Sequence, residues 1–173
     1  MRLVPSTPAL VRAEIHDHAE LARLLGARVP EGWPPGEAAD ALPWFLERLE
    51  EGGAEASGWY GYYCVVVDVE AEADAPVLVG GGGTVGPPDA GAVEIGYSLM
   101  PEFHHRGYAT EMMAAVIDRV SSDPRVQRIT AETVADNAPS QRVLDRLGFR
   151  SVGAGREPGT LAFQRPAGTV SPR

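Results

Sequence analysis

Apolar residues recur at helical spacing in the first third of the chain, at strand spacing in the middle, and by turns at both spacings after residue 107. Thr7-Pro8, a capping hydroxyl followed by proline in the first turn, opens a helical stretch. Leu21, Leu24 and Leu25 continue its apolar face, and Gly26 can end it. VPEGWPPG, Val29 to Gly36, reads as a loop because adjacent prolines block both helix and ladder. Leu42, Phe45, Leu46 and Leu49 then fall on one face of a second helix, stopped by Gly52-Gly53. The segments Trp59 to Glu70, APVLVGGGGTV and AVEIGYSLM predict three strands. In the third, Val93, Ile95, Tyr97 and Leu99 share one face, and Glu94, Gly96 and Ser98 the other. From Gly107 the stripe Ala109, Met112, Met113, Val116, Ile117 and Val120 predicts a helix, and VQRITAETV a strand. Asn137 caps a further helix with Val143, Leu144 and Leu147 on its apolar face and Gly148 as its stop. FRSVGAG and GTLAFQRP close the chain as a pair of strands.

This order predicts a mixed α/β or α+β sheet with no internal repeat and no linker long enough for a second domain. One domain over residues 1–166 is expected, with 167–173 as a mobile tail. A chain of 173 residues, 44% hydrophobic and 23% charged, can bury a core without staples. The single cysteine, Cys64, excludes an internal disulfide framework and fits a reducing compartment. No apolar run approaches the roughly 20 residues of a membrane span, and the N-terminus has no apolar signal region. A cytoplasmic protein without a membrane partner is the expectation. The net charge of -9 argues against nucleic acid, whose binding rests on phosphate neutralisation. It suits a cationic substrate, and equally plain solubility.

The candidate chemistry begins at HHRGYAT, His104 to Thr110, between a strand and a helix. There the first helical N–H groups lack partners and the positive end of the helix dipole is exposed. Gly107 lets a ligand approach the backbone, and Arg106 adds positive charge. The junction suits a pyrophosphate, and on its own suits an ordinary strand–helix turn as well.

VEIGYSLMPEFHHRGYATEMM, followed about 25 residues on by NAPSQRVLDRLGF, resembles the Gcn5-related N-acetyltransferase (GNAT) superfamily, most of all the branch with the ribosomal-protein N-terminal acetyltransferases. The family's phosphate pattern is Q/R-x-x-G-x-G/A; here His104 takes the first place, with Gly107 and Ala109 following. The resemblance implies a GNAT fold, a mostly antiparallel mixed sheet splayed between its fourth and fifth strands, with helices on both faces. It implies acetyl-CoA as co-substrate and no metal. Pantetheine would pair with the backbone at Ser98, Leu99 and Met100. The pyrophosphate would lie on Arg106, Gly107, Tyr108, Ala109 and Thr110, His105 would also contact the cofactor, and Asn137 and Ser140 would approach the thioester. As an enzyme the chain would transfer acetyl directly to a primary amine, a protein N-terminus or a small cationic amine, as monomer or homodimer. The alternative is a non-catalytic acyl-CoA-binding or regulatory domain.

The reaction sets its own requirement. A lysine-like amine, pKa ~10.4, must lose a proton at a cost of about 4 kcal/mol at neutral pH, and an α-amino group only about 1.4 kcal/mol. A general base recovers part of this, and Glu94 and Glu132 are the candidates, each with a solvated strand position as its plainer reading. Many relatives carry a tyrosine acid four residues before the Gly-Phe, where this chain has Leu144, so Ser140 is the expected donor to the leaving sulfur.

Other signals carry less. The G-x-G-x-x-G of Gly81 to Gly86 is followed by PPDAG rather than a helix, so it reads as a bulged strand and not a dinucleotide site. His16 and His18 are spaced wrongly for two ligands on one helix face. Cys64 reads as core, and Trp33 as packing or as a wall of the acceptor groove.

Overall fold

The computed structural model describes residues 1–36, 38–67 and 75–168. Its elements are β1 (Arg2–Pro5), α1 (Pro8–His16), α2 (His18–Leu25), α3 (Ala38–Ala56), β2 (Tyr62–Val67), β3 (Pro76–Thr84), β4 (Ala92–Leu99), α4 (Tyr108–Ser121), β5 (Arg128–Val134), α5 (Ala138–Arg146), β6 (Arg150–Ala154) and β7 (Thr160–Pro166), with a 3-10 turn at Pro101–Phe103. The strand order is β1-β2-β3-β4-β5-β7-β6. It is an open mixed sheet in which the β4–β5 pair is parallel. The chain divides into two compact units, Met1–Gly83 with Tyr97–Arg106, and Thr84–Gly96 with Gly107–Arg173.

In the first unit Thr7 caps α1, its hydroxyl accepting the Leu10 N–H at 3.3 Å. The helical stretch expected to run on to Gly26 breaks at Asp17, whose carboxylate accepts the Ala19 and Glu20 N–H groups at 3.0 Å and starts α2. Gly26, left-handed at φ 58, ends α2 as expected. In α3 the helical geometry fails at Gly53, at the expected stop. Val11, Leu49 and Ala56 bury against each other, with Ile15, Leu42, Leu46 and Tyr60 packed around them. β1, unpredicted, pairs with β2 from Arg2–Val65 to Pro5–Tyr62. The end of the strand expected over Trp59 to Glu70 lies outside the described residues. Pairing of β2 with β3 shifts between Cys64–Gly80 and Val65–Leu78, a bulge at the start of the glycine run. Gly80 is required by close approach, since a Cβ there would stand 2.5 Å from the Ser98 carbonyl oxygen.

In the second unit α4 buries Met112, Met113, Val116, Ile117 and Val120, five of the six stripe positions. Leu144 and Leu147 of the α5 region are buried, as are Val93, Ile95, Ile129, Ala131 and Phe163 of the strands. β5 pairs with β7 along its whole length, from Arg128–Pro166 to Val134–Thr160. Beyond β7, the Ala167 N–H donates to the Gln127 carbonyl at 2.9 Å and the Gly168 N–H to Ser121 Oγ at 2.9 Å. Residues 169–173 of the expected tail lie outside the described residues. Among the described residues no helix is long and apolar enough to cross a membrane.

The first unit also buries a carboxyl group. Glu14, only 6% exposed, accepts hydrogen bonds from Trp33 Nε1 at 2.8 Å and the Tyr63 hydroxyl at 2.6 Å. Burial lifts its pKa above the ordinary glutamate value, against the pull of both hydrogen bonds and the His18 charge. The folded chain therefore binds this proton more tightly than the unfolded chain does. The contribution to stability is complete below the unfolded pKa and is lost as pH rises through the folded one. Thermal unfolding of the wild type and Glu14→Gln measures this. The melting temperature of the Gln variant should gain on the wild type between about pH 4 and pH 7. A difference that stays constant or moves the other way would show that the ionised form is not disfavoured.

Candidate active site

The carboxylates singled out in the sequence meet in the second unit. The parallel ladder pairs Ala92, Val93, Glu94 and Ile95 with Arg128, Ile129, Thr130 and Ala131, and ends there although β5 continues to Val134. Glu94 stands opposite Thr130, and Glu132, two residues on, shares that face. The other face is apolar, with Val93, Ile95, Ile129 and Ala131 all buried. Alternation thus places both carboxylates on the polar side of one strand pair.

Arg156, from the turn between β6 and β7, joins them. Its Nη2 lies 2.6 Å from both carboxylate oxygens of Glu94, and its Nε 2.8 Å from Glu132 Oε1. The Arg156 backbone N–H donates to Glu132 Oε2 at 3.0 Å, and Thr160 Oγ1 lies 3.4 Å from the same oxygen. Partial desolvation pushes the Glu132 pKa up. The Arg156 amide, guanidinium and charge, with Thr160, outweigh it and hold the carboxyl below the usual value. The Arg156 guanidinium is correspondingly raised, chiefly by its hydrogen bond to Glu132. Sequence reasoning missed Arg156, because its partners lie 24 and 62 residues away along the chain.

The second unit also holds Gly107, Tyr108, Ala109 and Thr110 at the start of α4. Gly107 is the N-cap, left-handed at φ 84, and no side chain caps this helix start. A Cβ at Gly107 would meet nothing within 4 Å. The start of a 14-residue helix is thus open at its amide end, which fits an anionic group. Asn137 caps α5, its Oδ1 accepting the Ser140 N–H at 3.1 Å, so Asn137 and Ser140 are brought together. Leu144, at the place of the family's tyrosine, is buried in the core and offers no hydroxyl.

Ser98, Leu99, Met100, His105 and Arg106 belong to the first unit. The Met100 N–H donates to the Val79 carbonyl at 2.9 Å, and its carbonyl accepts from the Phe103 N–H at 3.0 Å. Both polar groups of Met100 are thus engaged within the fold. Strand alternation turns Ser98 the same way as Met100 and Leu99 the opposite way. The Leu99 carbonyl has the His104 ring Nε2 at 3.1 Å. His105 is left-handed at φ 63, and the Arg106 guanidinium stands 5.8 Å from the centre of the Phe103 ring.

The signals set aside behave as packing. Trp33 is buried against Glu14 rather than walling a groove, and Cys64 is fully buried. The glycine run lies in β3 and leads into no helix. Among the described residues no three His, Cys, Asp or Glu side chains gather where they could hold a metal ion.

Residues 8–150 match the family model described as Acetyltransferase (GNAT) domain. The chain is 32% identical over 143 residues to the uncharacterized N-acetyltransferase YjdG of Bacillus subtilis, covering 82% of this chain and 80% of that protein. In fold it is similar to the ribosomal-protein-S5-alanine acetyltransferase of Vibrio fischeri, with a TM-score of 0.63, 19% identity, and coverage of 98% of this chain and 94% of that one. The Mycobacterium smegmatis RimJ in complex with CoA-disulfide gives a TM-score of 0.60 at 21% identity, over 95% of this chain and 81% of that one. Sequence match and fold agree with the motifs at Gly107 and Asn137: the chain belongs to the GNAT family and is an acetyltransferase.

Proposed function

We propose that the protein transfers an acetyl group from acetyl-CoA directly to a cationic primary amine, a peptide N-terminus or a small amine, without a covalent acyl-enzyme. The observation that carries this reading is the pair Glu94 and Glu132, which together hold a cation on the polar face of β4 and β5. Residues 1–166 act in it as one N-acetyltransferase domain, in the cytoplasm.

The bound co-substrate supplies an acyl thioester, whose carbon–sulfur bond breaks as the carbon–nitrogen bond to the acceptor forms. The amides of Tyr108, Ala109 and Thr110, behind the left-handed Gly107, take the pyrophosphate, with His105 and Arg106 beside them. Leu99 offers its backbone N–H to pantetheine, because the Met100 amide and carbonyl already have partners, Ser98 is turned the same way as Met100, and the Leu99 carbonyl has the His104 ring beside it. Asn137 and Ser140 serve the thioester end, with Ser140 donating to the sulfur in place of the absent tyrosine.

Glu94 or Glu132 takes the proton that the bound ammonium must lose before its nitrogen can attack, directly or through water. An alcohol would need stronger activation than two carboxylates provide, which favours nitrogen. Because Glu132 is held ionised well below neutral pH, its own titration should leave no inflection in kcat/KM between about pH 6 and 9.

Two experiments test these assignments. Gly107→Glu puts a carboxylate against the pyrophosphate position, and because a side chain at the left-handed Gly107 is strained, Gly107→Ala serves as the control that carries the strain without the charge. Calorimetry should show acetyl-CoA affinity lost in a chain that still folds. Near-native affinity would remove the α4 start from the site. Glu94→Gln and Glu132→Gln, assayed with a cationic amine, should in one case lower kcat by ~10²-fold with the pH optimum moved alkaline. Wild-type pH–rate profiles in both variants would take the base away from this pair.

A further inference from the structure

Arg156 sits at the centre of the carboxylate pair, and the proposed chemistry gives it no task. Its Nη2 spans both oxygens of Glu94 at 2.6 Å, and its Nε reaches Glu132 at 2.8 Å. The two carboxylates carry two negative charges, and the guanidinium reduces them to one. A guanidinium stays protonated at any working pH, so it holds the bases without ever giving them a proton. An ammonium at the same place could give one up.

The support beneath Arg156 is fixed. Its N–H is held by Glu132 Oε2 at 3.0 Å. Gly155 donates to the Thr160 carbonyl at 2.9 Å, and the Thr160 N–H closes the turn onto Glu157 at 3.2 Å. The arginine side chain, by contrast, is 70% exposed. Ion pairs so open to water contribute little stability, so the guanidinium can swing into solvent while the turn stays in place. The groups facing the site are Glu94 from β4, Glu132 from β5, Thr160 from β7, and Arg156 from the turn.

We propose that Arg156 is a built-in stand-in for the acceptor: its guanidinium fills the cation site of Glu94 and Glu132, and a cationic amine must displace it to be acetylated. This rests on the reading of the two carboxylates as acceptor-side groups. Arg156 is then a specificity residue. A cation arriving at the site pairs with the carboxylates in the guanidinium's place, whereas a neutral or anionic acceptor would leave both carboxylates without a counter-charge. The occupied site lowers apparent acceptor affinity by the fraction of time it stands open.

The test uses the full chain with putrescine as a dicationic probe, in two readouts. Calorimetry without acetyl-CoA measures binding alone, and steady-state kinetics with acetyl-CoA gives KM and kcat. Arg156→Gln should bind putrescine about three- to tenfold more tightly and lower KM to match. Arg156→Lys, which keeps a cation but not the forked guanidinium, should fall between the wild type and Arg156→Gln. Arg156→Met replaces the Gln variant should that one fail to fold. Equal or weaker putrescine binding by the uncharged variants overturns the proposal, even if the wild type acetylates amines well. Tighter binding without acetyl transfer to any amine would keep the cation site and sink the amine-acetylation reading instead.

Discussion

Four parallel residue pairs, Ala92–Arg128 to Ile95–Ala131, fix where the carboxylates of β4 and β5 stand. With strand alternation, that register decides that Glu94 and Glu132 share a face while Val93, Ile95, Ile129 and Ala131 are buried on the other. A one-residue slip of β5 would bury Glu132 and turn Ile129 to water. The apolar side of the pair therefore pins the polar side, and two like charges are kept close by core packing rather than by attraction. Arg156 answers the resulting repulsion, and its own guanidinium pKa rises in response.

In the first unit, backbone geometry has a comparable role. Gly80 allows the Ser98 carbonyl to approach where any side chain would collide. Met100 is fastened at both of its polar groups, to Val79 and Phe103. Of the three residues expected to meet pantetheine, Leu99 is thereby left as the one whose N–H and carbonyl point away from β3. In the second unit Gly107 leaves the start of α4 uncapped, which keeps its amides available to an anion.

Much of this was legible because it is local. The helical stripe from Met112 to Val120, the alternation of β4, and the Asn137 cap each span less than one element, so periodicity and capping chemistry reveal them. β1 is four residues long and ends in proline, too short for a period to register. The break at Asp17 escaped notice because an acid inside a helical run also reads as a solvated position, and only its bonds to Ala19 and Glu20 identify it as a cap. Trp33 could be read as packing or as a groove wall until Glu14 was seen to accept its indole N–H. Arg156 was out of reach altogether, since nothing in a G-R-E-P-G turn names carboxylates on two distant strands. Ion pairs such as these are long-range, and one chain read alone does not encode them in its local pattern.

If the acceptor's positive charge guides acetyl transfer, competition between acceptors of different charge will show it. The full chain would be given acetyl-CoA with an equimolar mixture of a cationic amine, an anionic amine and an alcohol, at low and high salt, with products resolved by mass. Acetyl should appear on the cationic amine above all, with a lead that shrinks as salt screens the carboxylates. Preference for the alcohol or the anionic amine, unchanged by salt, would contradict it.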